Sequence, residues 1–178
     1  MNDTEHKELV KLAEAGKILI GVDRGAARKL FTDVPLSTIQ EMTGETPYFE
    51  KTLVMSAFML GPVALITSVV LAFIAFGWWG LIPLLLCPIV YLLYQGSSSA
   101  GGASLSLITA FVVVAGLVHF FGNFNAPWST GFVAVFLFSL WCVRFIYSGA
   151  TFMYRAFAVR NRKAFEFLSP GLSIKHIE

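Results

Sequence analysis

From Thr52 to Val143 the chain runs for 92 residues without one Asp, Glu, Lys or Arg. A surface facing water carries charges throughout, so a neutral stretch of this length is built to lie in hydrocarbon. Composition agrees: 13% of the residues are charged and 56% are hydrophobic, whereas a soluble domain carries about 25% charged residues. The chain reads as an integral membrane protein of the all-α class. Each helical crossing needs about 20 mostly apolar residues, so the neutral run accommodates four. The first residues, MNDTEHKELV, are polar and acidic where a signal peptide would be basic and then apolar. No cleavable targeting segment is expected, and the first membrane helix is expected to act as the insertion signal.

The turns divide the run. Thr46 and Pro47 mark a helix start, with Glu50 in the first turn where the helix dipole favours an acid. A hydrophobic run follows from Leu53 to Phe76. Gly77, Trp78, Trp79 and Gly80 form a turn with two interfacial aromatics, and Leu81 to Tyr94 returns with Pro83 and Pro88 inside it. Gln95 to Ser104 is polar, small and uncharged, reading equally as a linker or as a close-packing extension of the third helix. Leu105 to Phe121 is the third hydrophobic run, and Trp128 to about Phe152 the fourth. The expected spans are 47–76, 79–95, 103–121 and 128–152, arranged as two hairpins within a 47–152 transmembrane domain.

Basic residues set the orientation. Seven Lys and Arg lie in residues 1–52 and six from 144 onward, while the turns at 77–80 and 122–128 hold none. By the positive-inside bias both termini are expected in the cytoplasm of a plasma membrane of bacterial inner-membrane type. Trp78, Trp79 and Trp128 then fall at the outer interface, and Tyr91, Tyr94, Tyr147 and Tyr154 toward the inner one. A re-entrant second segment would leave three crossings and put one basic terminus outside.

Residues 1–46 are expected to form a small helical cytoplasmic head. Leu9, Leu12, Ala13, Gly16 and Ile20 recur at helical spacing, Asp23 can cap a second helix ending near Thr32 and Asp33, and Ser37 with Gln40 has the spacing of a capping box before the Gly44 stop. A head this small cannot bury a sizeable core alone, so its apolar stripe needs the membrane surface, a partner or another copy. The tail, 153–178, mixes Arg155, Arg160, Arg162 and Lys163 with aromatic residues and suits an anionic inner interface. The head is net acidic and the tail net basic, so the two can attract one another.

Little in the chain carries chemistry. Cys87 and Cys142 sit in apolar segments without ligand-spaced neighbours, and the serines at 97–99 lack an adjacent base. No catalytic residues, metal or cofactor are expected. Arg144 is the one charge within a hydrophobic segment. It lies 16 residues, or about 24 Å, from Trp128, near the inner edge of a ~30 Å core. It reads first as a snorkelling anchor and second as an anion- or partner-binding arginine. His119, Asn123 and Asn125 could line a polar pocket at the outer face with the tryptophans. The leading functional expectation is a non-enzymatic subunit that scaffolds a larger inner-membrane complex of secretion, conjugation or respiratory type. The alternative is an oligomeric pore or small-anion transporter. Expected partners are the lipid bilayer and other membrane subunits or copies of the chain, with no nucleic acid.

Overall fold

The computed structural model describes residues 2–100, 127–160 and 162–176, which are mostly helical. The chain divides into two compact units, one of residues 1–55 and 147–178 and one of residues 56–146. The boundaries fall inside two long helices.

The first unit is built from both ends of the chain. Helix α1 (Asp3–Glu14) begins where the Asn2 amide donates to the Glu5 carboxylate at 2.7 Å. It stops at Glu14 instead of continuing to Ile20, because Gly16 adopts φ +69° and turns the chain out of helical geometry. The following residues form strand β1 (Ile18–Val22), with Ile18 and Ile20 buried and Leu19 exposed, the alternation of a half-buried strand. Its partner is β2 (Leu172–His176) at the other end of the chain, paired antiparallel with Ile20 opposite Ile174. The expected all-α fold is therefore corrected by one two-stranded sheet. Helix α2 (Arg24–Thr32) starts as expected at Asp23, whose Oδ1 accepts from the Ala26 amide at 2.6 Å. In α3 (Leu36–Thr43) the expected capping box does not form: Pro35 is the N-cap, so Ser37 already lies inside the helix. The stop is as read, with Gly44 at φ +79° donating to the Gln40 carbonyl.

The two ends share one core. Phe31, Ile39 and Phe157 are fully enclosed, together with Leu30, Ala158, Phe165 and Leu168. Arg28 donates to the Tyr147 hydroxyl at 3.3 Å, Tyr154 donates to the Leu168 carbonyl at 2.8 Å, and Lys51 donates to the Val34 carbonyl. Gly171 abuts the Tyr154 hydroxyl so closely that no Cβ would fit there.

The second unit holds most of helix α4 (Tyr48–Phe76), a 3₁₀ turn at Gly77–Gly80, helix α5 (Leu81–Ser99) and the first part of helix α6 (Pro127–Arg160). Gly77, at φ +56°, makes the turn between α4 and α5. Helix α4 presents Ala57, Gly61, Ala64, Ser68 and Ala72 inward, a ladder of small residues at three- and four-residue steps. This lets backbones approach closely: a Cβ on Gly61 would stand 3.0 Å from the Tyr91 hydroxyl of α5 and 3.4 Å from Cys142 Cβ of α6. Farther along, Leu71 faces Gly131 and Phe76 meets Phe132 edge-on at 6.0 Å. Helix α4 thus runs antiparallel to both α5 and α6. Helix α5 outlasts its expected end at residue 95 by four residues, and Ser99 turns its hydroxyl back onto the Gly96 carbonyl at 2.7 Å. Pro62 and Pro88 lie within continuous α4 and α5. Helix α6 runs to Arg160, past the span end read at Phe152, and α7 (Arg162–Leu168) follows.

Two helical stretches, 48–99 and 127–160, are long and apolar enough to cross a membrane. The outward face of α4 agrees with that location: Met59, Val63, Ile66, Val70 and Ile74 are all more than half exposed.

Candidate functional site

The residues singled out from the sequence separate into three groups. Trp78 and Trp79 are 87% and 75% exposed in the 3₁₀ turn, and Trp128 is half exposed in the first turn of α6. Arg144 is half-buried on α6. His119, Asn123 and Asn125 lie outside the described residues, and with them the expected outer pocket. Arg155 and Lys163 are exposed. Arg160 and Arg162 are brought together with other polar groups into a concave site.

That site belongs to the first unit. Residues 3, 6, 7, 10 and 11 of α1 share one helical face, and Asp3, His6, Lys7, Val10 and Lys11 line an open groove of about 410 Å³ with Val159, Arg160 and Arg162. The arginines are held from outside the groove as well as within it. Arg160 reaches Glu50 at 3.3 Å and Glu45 at 3.6 Å, and its guanidinium lies 6.0 Å from the Phe157 ring centroid. Arg162 Nη1 meets Asp3 at 3.0 Å, and its Nε lies 3.4 Å from Glu166. These pairs are partly exposed, so each is worth about 0–1 kcal/mol and serves to orient more than to stabilise. Lys7 and Lys11, one turn apart on α1, have no carboxylate within 4.0 Å among the described residues.

His6 is the anomaly of the groove. It is the one buried residue of α1, 7% exposed, with its ring edge-on to Phe165 at 5.7 Å. Its Nε2 is enclosed and has no hydrogen-bond partner. Buried polar nitrogens are nearly always satisfied, so His6 Nε2 is the polar atom of this groove that calls for a partner.

The sequence reading took Arg160 and Arg162 as anchors and missed His6, Lys7 and Lys11. Their signal was present as Lys7 and Lys11 at four-residue spacing beside His6, on the face of α1 that the apolar stripe leaves over. The missing information was the partner surface, supplied from about 150 residues away. The arrangement can hold an anion; among the described residues no three His, Cys, Asp or Glu gather as metal ligands. Compared with known protein families, curated proteins and solved structures, the chain matches none of them.

Proposed function

We propose that the chain is a four-span protein of the plasma membrane, of bacterial inner-membrane type, with both termini cytoplasmic. In this reading it serves as a non-enzymatic subunit that assembles a larger membrane complex. The observation that carries the topology is the antiparallel pairing of Ile18–Val22 with Leu172–His176. Strands that pair must lie on one side of a bilayer, so the number of crossings between them is even. The helix directions support a count of four. Helix α4 is antiparallel to α5 and to α6, so α5 and α6 run the same way. The chain therefore leaves α5 at one end of the bundle and enters α6 at the other, which is what the proposed third span over 103–121 would require. The basic ends of the chain favour the cytoplasmic side.

The subunit role is supported by the division of labour between the two units. The apolar one has an exterior suited to lipid and to neighbouring helices, and the other offers a folded, charged surface tied to the bundle by both ends. Reporter fusions at residues 78, 99, 125 and the C-terminus test the topology: inside signals are expected at 99 and the C-terminus and outside signals at 78 and 125. An outside signal at 99 or the C-terminus overturns it. Purification in mild detergent tests the role, with stoichiometric partner proteins expected; a monodisperse, partner-free monomer overturns it.

A further inference from the structure

We propose that the groove between α1 and the junction of α6 with α7 is a recognition site for a phosphate group carried on a small organic ligand. Three features of the groove converge on this ligand, and none depends on the membrane reading.

The first is charge. Lys7, Lys11, Arg160 and Arg162 line the groove; Glu45 and Glu50 pair with Arg160 and Asp3 and Glu166 with Arg162, so the uncompensated positive charge is that of Lys7 and Lys11. The second is donor geometry. The two lysines stand on successive turns of one helix with no carboxylate within 4.0 Å among the described residues, so their ammonium groups are available to a tetrahedral dianion with several acceptor oxygens. The third is the unpartnered nitrogen of a buried ring, His6 Nε2. A phosphate oxygen reaching His6 Nε2 would accept from it and remove the cost of leaving it enclosed without a partner. His6 is fixed by its edge-on packing against Phe165, so its ring is set before the ligand arrives.

Size and lining then describe the remainder of the ligand. About 410 Å³ falls within the range of about 300–1,000 Å³ that small-molecule sites occupy, leaving room beside the phosphate for a sugar- or glycerol-sized group. Val10 and Val159 give that group two apolar walls. Asp3 competes for Arg162, so the ligand must displace one ion pair on binding.

The full chain in neutral detergent is titrated with inorganic phosphate and followed by calorimetry. Saturable binding is expected, weakened at least tenfold in Lys7→Gln/Lys11→Gln, tightened in Asp3→Asn and unchanged in Lys29→Gln, whose lysine is exposed on α2 outside the groove. Both substituted lysines are exposed, and circular dichroism verifies that the double variant keeps its helix. The source of the phosphate is read by native mass spectrometry from phosphatidylcholine micelles doped with phosphatidic acid. Retention of phosphatidic acid that is lost in the double variant assigns a lipid head group, and phosphate binding without such retention assigns a diffusible phosphate ester. If phosphate does not saturate and phosphatidic acid is not retained through Lys7 and Lys11, or if the double variant binds phosphate as the Lys29 variant does, the site is overturned.

Discussion

In the unit built from the chain ends, Phe31, Ile39 and Phe157 are fully enclosed and the charged side chains lie outside; in the unit of residues 56–146, Ser68 and Ser139 are fully enclosed while Ile66, Leu85 and Leu93 are about two-thirds exposed. The enclosed serines are satisfied within their own helices, Ser68 by the Leu65 carbonyl at 2.7 Å and Ser139 by the Phe136 carbonyl at 2.6 Å. One unit is therefore held by burying large apolar groups from water. The other encloses Leu140 and Val143 but adds close approach of small-faced helices, a means of packing suited to apolar surroundings. Substitutions of the same chemical kind should have opposite consequences in the two.

The largest effect belongs to the core of the terminal unit. Phe31→Ala should cost about 3–5 kcal/mol, the loss for a fully buried phenylalanine. Hydrogen exchange reads it as faster exchange at the β1 amides by about two to four orders of magnitude, since about 1.4 kcal/mol corresponds to each factor of ten. Exchange unchanged at Ile18–Val22 would mean that the sheet does not depend on this core.

Next comes a matched pair of aliphatic residues with comparable exposure. Ile66 on α4 is 65% exposed and Leu19 on β1 is 49% exposed. If α4 faces lipid, Ile66→Asp should cost about 2.5–3.5 kcal/mol in membrane insertion. Leu19→Asp should stay within about 0.5 kcal/mol, as surface changes do, because position 19 lies opposite Lys175 and gains a cross-strand partner. Insertion assays on the first and thermal melting of the second make the comparison. Equal tolerance at both positions would remove the case that α4 meets lipid.

Glycines sharpen it further. At Gly61 a Cβ already stands 3.0 Å from the Tyr91 hydroxyl, so Gly61→Leu should overpack the bundle and cost about 1–3 kcal/mol. At Gly131 the nearest atom, Leu71 Cδ1, is 3.7 Å away, so Gly131→Ala should stabilise α6 by about 0.4–1 kcal/mol. Melting temperatures in detergent should move in opposite directions.

What could be read from the sequence follows the range of the signals. The apolar helices over 48–76, 81–99 and from 127 onward, the Gly77–Gly80 turn, the Asp23 cap and the Gly44 stop are encoded within a few residues of where they act. Strand β1 was hidden because Ile20 also continues the helical spacing of Leu9, Leu12, Ala13 and Gly16, and only the distant Leu172–His176 makes the extended form worthwhile. The groove was hidden for the same reason. Arg160 and Arg162 were visible as charges, but neither the spacing of α1 nor that of the tail states that His6 meets Phe165. Attraction between an acidic head and a basic tail was legible from charge alone, and the Asp3–Arg162 and Glu50–Arg160 pairs are its counterpart.

The smallest effect tests a short-range signal at the seam between strand and helix. Asp23 ends β1, donates its amide to the Gly171 carbonyl at 2.8 Å and caps α2 through Oδ1 at 2.6 Å from the Ala26 amide. Asp23→Ala keeps the backbone bond and removes the cap, so it should cost about 1 kcal/mol. Asp23→Asn keeps a capping oxygen and should recover most of that loss. Because the cap works in water, the effect should appear as faster amide exchange in α2 and leave α4 to α6 unchanged. If Asp23→Ala instead loosened α4 to α6 as much as α2, the two units would not melt independently, and the contrast between them would describe one cooperative fold with two surfaces.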